Sequence, residues 1–135
     1  MSKAIEFTEG GLQVSFVPGT AFNTLRFTGA ASDATVRAAL LGVWQHPGYV
    51  YDRNELYDLR EARYDDLSSR GMRELAALNA TLFDGHPDHR SAILVSEALM
   101  FGLSRVFRAH AGERGDNVEI FTDQAAAVAW LQDPA

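Results

Sequence analysis

From Thr24 onward the apolar residues switch repeatedly between two spacings, and this switch constrains the fold more than any other feature of the chain. Residues 24–29 alternate apolar with polar, as a half-buried strand does. Behind Ser32-Asp33, the residues Val36, Leu40, Val43 and Trp44 fall at helical spacing until His46-Pro47-Gly48 stops the run. The alternation then repeats. Residues 55–59 read as a strand that leads into a charged loop over residues 60–66. A helix follows, carrying Met72, Leu75, Ala76, Leu82 and Phe83 on one side and ending at Gly85. Residues 91–95 form a compact apolar run that fits a strand covered on both faces, and Ser96 is placed to cap the next helix. In that helix Leu99, Leu103, Val106, Phe107 and His110 are expected to share a face, with Gly112 closing it. A last strand over residues 117–121 precedes a terminal helix capped by Thr122-Asp123, with Ala127, Val128 and Leu131 turned inward.

Ahead of these units, two short alternating runs at residues 4–8 and 12–17 flank Glu9-Gly10-Gly11, where glycine supplies the positive φ of a tight turn. Strand-helix-strand units close parallel and right-handed. The expected class is therefore α/β: one domain over residues 1–135, with a mixed, mostly parallel sheet, an amino-terminal antiparallel hairpin and about four helices. No linker, internal repeat or low-complexity segment divides it.

Charge and composition narrow the function classes. Eighteen acidic against 12 basic side chains give a formal charge of −6, a field that repels phosphate backbones and argues against a nucleic-acid partner. The absence of cysteine removes disulfides, thiolate nucleophiles and Cys-ligated zinc. No stretch approaches the ~20 apolar residues of a membrane span, so a cytoplasmic location is the default expectation.

Open α/β sheets bind ligands beyond the carboxyl ends of their strands, here the loops after Leu59, Val95 and Phe121. No nucleophile elbow, phosphate loop or dinucleotide fingerprint is present, and no motif indicates a cofactor. His86-Pro87-Asp88-His89 has the spacing closest to a metal site but reads better as a polar loop. Asp58 and Arg60, at a strand end, are expected to point to opposite faces of the sheet and not to act as one acid/base pair. Glu61, Asp65 and Asp66 read as a solvated acidic cluster, and His110 as a hydrogen-bonded histidine rather than a catalyst. Trp44, Tyr49, Tyr51, Tyr57 and Tyr64 concentrate rings near the first crossover, enough for core, a partner surface or an apolar pocket between helix and sheet.

Three segments carry a family resemblance. A strand ends in Tyr57-Asp58-Leu59-Arg60, then Asp66-Leu67-Ser68-Ser69-Arg70-Gly71 opens a helix. Further on, Ser91-Ala92-Ile93-Leu94-Val95-Ser96 leads into Ala98-Leu99-Met100-Phe101-Gly102-Leu103. This order, over residues 22–132, resembles the SpoIIAA-like branch of the STAS superfamily, the fold of sulfate-transporter and anti-sigma-factor-antagonist domains, which is itself similar to lipid-binding CRAL-TRIO domains. In antagonist members a serine in an Asp-Ser-Ser-Gly-like turn at a helix start is phosphorylated and switches partner binding. The resemblance puts Ser69 in that place with Ser68 beside it, although Leu67 follows Asp66 and Arg70 separates Ser69 from Gly71. A helix start favours an anion, and Arg70 is available to neutralise a phosphate. Taken by themselves, Ser68, Ser69 and Ser96 read as plain N-caps.

What the resemblance implies is a non-enzymatic regulatory or protein-interaction module. Its candidate anion or phospho-acceptor residues are Ser68, Ser69 and Ser96, and its rim residues Asp58, Arg60, Asp66 and Arg70. Homodimerisation is compatible with this reading. The alternative is a carrier of a small apolar ligand or lipid, held by the faces around Met72, Leu82, Leu99, Met100 and Phe101.

Overall fold

The computed structural model describes residues 4–111 and 117–134. Strands β1 (Ile5–Glu9) and β2 (Leu12–Val17) form the hairpin, turned at Gly10 with φ of 57°. Then β3 (Phe22–Ser32), α1 (Asp33–Trp44), β4 (Asn54–Asp66), α2 (Ser69–Leu82), β5 (Ser91–Leu94), α3 (Ala98–Ala109), β6 (Val118–Phe121) and α4 (Gln124–Leu131) alternate to the end. Gly112, expected to close α3, lies outside the described residues.

One six-stranded sheet results, in the order β1-β2-β3-β4-β5-β6, antiparallel through β3 and parallel from β3 to β6. Because each crossover steps to the next strand on the same side, right-handed connections put α1, α2 and α3 on one face of the sheet. The larger core lies there, joining Leu25 and Phe27 of β3 to Val36, Leu40, Val43 and Trp44 of α1 and to Met72 and Leu75 of α2. After β6 the chain turns under the sheet. There α4 buries Ala127 and Leu131 against Leu56, Ala92 and Leu94, so β5 is covered on both faces, as its unbroken apolar run predicts.

Two expectations change. The charged segment 60–66 is strand and not loop: β4 runs on to Asp66, paired with β3 from Thr28↔Glu61 to Ser32↔Asp66, past the last β4–β5 pair, Asp58↔Leu94. Along this stretch the outer side chains meet solvent, which tolerates Glu61, Arg63 and Asp65, while Tyr64 turns into the core. In α3 Leu103 and Phe107 are buried as expected and Val106 packs on the core, but the inward face turns toward Met100 and Ser104, and Leu99 is 54% exposed. Apolar residues at 98–101, 103, 106 and 107 satisfy either phase, so periodicity alone leaves the choice open.

Candidate functional site

The end of the β4–β5 ladder, where β5 stops and β4 runs on, carries the rim on which Asp58, Arg60 and Ser96 lie. Asp58 and Arg60 do not diverge, since residues two apart on a strand point to one face. The Arg60 Nε and Nη2 donate to Asp58 Oδ1 and Oδ2 at 2.9 and 3.0 Å, the Arg60 N–H donates to the same carboxylate, and Nη2 also reaches Gln124 of α4 at 3.2 Å. Arg26, paired across the sheet with Asp58, approaches to 3.8 Å. Burial works to raise the Asp58 carboxyl, but the hydrogen bonds of Arg60 and the charges of Arg60 and Arg26 outweigh it and hold the group below the ordinary aspartate value. The same pairing raises the Arg60 guanidinium.

Ser96 stands at the top of β5 and does not cap α3. The N-cap is Glu97, whose side chain makes no capping bond, because the Val95 N–H still bonds to Phe121 and the helix begins one residue later than expected. A shallow cleft here is walled by Leu59, Arg60, Tyr64, Ser96, Glu97 and Met100. Tyr64 donates its hydroxyl to the Leu59 carbonyl at 2.8 Å, and its burial, with the charges of Asp58 and Glu97, pushes its ionisation well above the normal tyrosine range. Beside the cleft, Leu99 and Phe101 are 54% and 38% exposed, while Met100 between them is buried.

The start of α2 is a separate cluster. Ser68 is its N-cap, accepting from the Gly71 N–H at 3.0 Å, and Ser69 is the first helical residue, exposed. Both the N–H and the hydroxyl of Ser68 donate to the Asp33 carboxylate, at 2.8 and 2.5 Å. An anion therefore does sit at this helix start, and it comes from the first turn of α1. Arg70 points along its own helix to Glu74 at 3.2 Å, and Asp66 is exposed at the end of β4, opposite Ser32. The Ser68 and Ser96 turns therefore do not share one rim. Ser68 lies beyond Asp66, eight residues past the end of the β4–β5 ladder, roughly 26 Å along an extended strand.

At the amino end of β4 a third group is fully enclosed. Tyr57 donates its hydroxyl to Glu55 Oε1 at 2.6 Å and accepts from Trp44 Nε1 at 3.1 Å, with His89 Nε2 3.5 Å from the same carboxylate oxygen. Tyr49 faces this group; burial first, and the Glu55 charge second, drive its ionisation far above normal. These side chains tie α1, β4 and the turn before β5 together out of reach of solvent. His86 turns the other way, to Asp52 at 2.7 Å, so the two histidines of the 86–89 segment do not converge. Among the described residues no three His, Asp or Glu side chains gather as a metal site. His110 ends α3 at the surface, hydrogen-bonded through Nδ1 to the Val106 carbonyl at 2.9 Å.

Asp33, Arg26 and Gln124 were not singled out as site residues by sequence reasoning. Their partners lie 35, 32 and 64 positions away, and only the Ser32-Asp33 cap left a local trace. Between the sheet and α1–α3 lies a cavity of about 50 Å³, with Trp44, Tyr57 and Tyr64 in its wall. A void of ~150 Å³ is what accommodates benzene, so a lipid chain does not fit these walls as they stand.

No protein-family model and no curated protein matches the chain. Among solved structures it is similar to an uncharacterised protein of the DUF3478 family with a SpoIIAA-like fold, from Shewanella loihica. The identity is 17%, the match covers 97% of this chain and 98% of that one, and the TM-score is 0.55. The fold is SpoIIAA-like. Among the described residues no helix is long and apolar enough to cross a membrane.

Proposed function

We propose that this SpoIIAA-like chain is a non-enzymatic protein-interaction module whose docking face includes the first turn of α3. The observation that carries the reading is the exposure of Leu99 and Phe101 beside the rim formed by Arg60, Ser96 and Glu97. The two flank the buried Met100, and exposed apolar side chains next to polar rim groups are a feature of docking surfaces. The formal charge of −6 favours a partner of opposite sign. A non-catalytic role agrees with the state of Asp58, held ionised by two arginines and so ill-matched to acid/base work near neutrality.

A photo-crosslinking amino acid at position 101, introduced in the native host, tests this against the same group at Val50, which is 42% exposed at the other end of β4. The expected result is one defined protein adduct at position 101 and none at position 50. Equal labelling at both positions overturns the reading. If the adduct is the chain itself, the partner is a second copy, and light scattering of the purified protein should then show a dimer that a Leu99→Ser/Phe101→Ser variant loses.

Regulation enters at the start of α2. A phosphoryl group on Ser68 would replace the hydroxyl proton donated to Asp33 with about two negative charges against that carboxylate. The modification would act by parting α1 from α2. Phosphosite mapping that finds Ser68 and Ser69 unmodified under all growth conditions removes this version and leaves the docking face standing.

A further inference from the structure

The sheet has two edges, and they differ. β6 is covered on both faces, with Ile120 packed on the larger core and Phe121 on the smaller, and its Glu119 accepts from Arg108 at 3.0 Å. β1 is covered on one face only. Its Ile5 and Phe7 pack on the core beside α1, Phe7 edge-on to His46 at 6.1 Å, while Glu6 and Thr8 lie exposed on the other face. Among the described residues no strand lies along its outer side. Proteins blunt such an edge with proline, lysine, a bulge or a free charge. Ile5–Glu9 has neither proline nor lysine and pairs with β2 without a shift of register. Its central charge is turned away from the edge, because the Glu6 carboxylate accepts from Ser15 Oγ at 2.6 Å and from Gln13 Nε2 at 3.0 Å, both on β2.

Hydrogen-bond phase decides which residues of β1 are open. The Ala30 N–H donates to the Gly11 carbonyl at 3.1 Å, so Gln13, Ser15 and Val17 turn their backbone groups to β3, and Leu12, Val14 and Phe16 turn theirs to β1. The partners of these last three, Glu9, Phe7 and Ile5, are committed to β2. The N–H and C=O groups of Glu6 and Thr8 therefore point outward, along the free edge.

We infer that a second copy of this chain adds to β1 edge to edge and antiparallel, about a two-fold axis through the Phe7 pair, so that one sheet runs through both copies. In that register Glu6 of each copy exchanges N–H···O bonds with Thr8 of the other. Phe7 meets Phe7 at a non-hydrogen-bonded position, where side chains lie closest and aromatic pairs are favourable. Charge selects this register among the two-fold ones. Centring on Glu6 sets two carboxylates against each other, and centring on Thr8 sets Phe7 against Glu9, whereas centring on Phe7 puts each Glu6 beside an uncharged Thr8. The flank of α1 over β1 is made of small side chains, Thr35 next to Gly10 and Gly42 next to Phe7 with Ala38 between them, and it leaves the second copy room to approach. One short ladder is a small interface, so the dimer should be weak and dependent on concentration. The edge is across the sheet from α3, so this dimer does not depend on the docking face proposed above.

Amide hydrogen exchange followed by NMR on the whole protein at increasing concentration, together with sedimentation equilibrium, tests the inference. A monomer–dimer equilibrium is expected, in which the Glu6 and Thr8 amides gain protection as the dimer fills while the Phe7 amide, already bonded to β2, does not change. Thr8→Pro removes an outward N–H and no bond within the chain, so the variant should stay folded and be monomeric. Thr8→Glu sets like charges opposite each other on both sides of the two-fold axis and should weaken the dimer about tenfold, whereas Thr8→Lys, opposite Glu6, should not weaken it. A chain that stays monomeric up to about 1 mM overturns the inference. So does a dimer whose Glu6 and Thr8 amides exchange as fast as in the monomer, since it forms elsewhere, and so does a folded Thr8→Pro variant that still dimerises. Protection of these amides by host lysate alone, with the purified chain monomeric, gives the edge to a foreign strand and likewise overturns it.

Discussion

The Asp33 carboxylate accepts hydrogen bonds from both the backbone N–H and the hydroxyl of Ser68, at 2.8 and 2.5 Å, so the first turn of α1 caps the start of α2 across 35 residues of chain. A Cβ at position 71 would run into the Asp33 carboxylate and push it off Ser68. Helix capping, usually a local matter, here joins two elements of the layer above the sheet.

Breaking this clamp should cost stability in a pattern that identifies it. Ser68→Ala loses a cap and is expected to destabilise by about 1–2 kcal/mol. Ser68→Asp should be worse, because it sets one carboxylate against another, whereas Ser69→Asp, exposed at the first helical position, should be neutral or mildly stabilising. Urea denaturation of the three variants checks the order. In a double-mutant cycle, Asp33→Ala and Ser68→Ala should be non-additive by about 1 kcal/mol.

Acid stability should depend on Asp58. Its carboxyl is held below the ordinary value in the folded chain, so the stabilisation it supplies is fully present above the unfolded pKa, around 3.8, and is lost as pH falls through the folded value. Thermal melts between pH 2 and 7 should show wild type losing stability below about pH 4. Asp58→Asn should be less stable at neutral pH and should converge toward wild type in acid.

The enclosed Trp44–Tyr57–Glu55 chain predicts a large effect from one oxygen. Tyr57→Phe leaves Trp44 Nε1 and Glu55 Oε1 without the hydroxyl that joins them, and should destabilise by about 1–3 kcal/mol. Tyr51→Phe removes a bond from a half-buried hydroxyl to the Trp44 carbonyl and should cost less. Chemical denaturation followed by tryptophan fluorescence compares the two.

Gly29 should not tolerate a side chain. It has φ of 88° within β3, and a Cβ there would meet the Gly11 carbonyl oxygen at 2.1 Å. Gly29→Ala is expected to lose at least 2 kcal/mol, measured by thermal unfolding, because the positive φ and the steric contact act together.

The sequence by itself determined the order of elements, the hairpin at Gly10, the caps at Ser32 and Asp123, the double covering of β5 and the SpoIIAA-like class. The turn and the caps are encoded within a few neighbouring residues, where periodicity and capping chemistry act, and the class follows from the order of such segments over residues 22–132. How far β4 runs was settled only in the folded chain, because beyond Asp58 the strand pairs with β3 and no longer with β5, and its solvent-facing side accepts the charges that otherwise read as loop. The tertiary structure also fixed the phase of α3, which the continuous apolar run left ambiguous, and so set Leu99 outside and Ser104 inside. The pairing of Ser68 with Asp33 and of Glu55 with His89 is likewise tertiary, since chain separations of 35 and 34 residues are bridged only once the crossovers have closed.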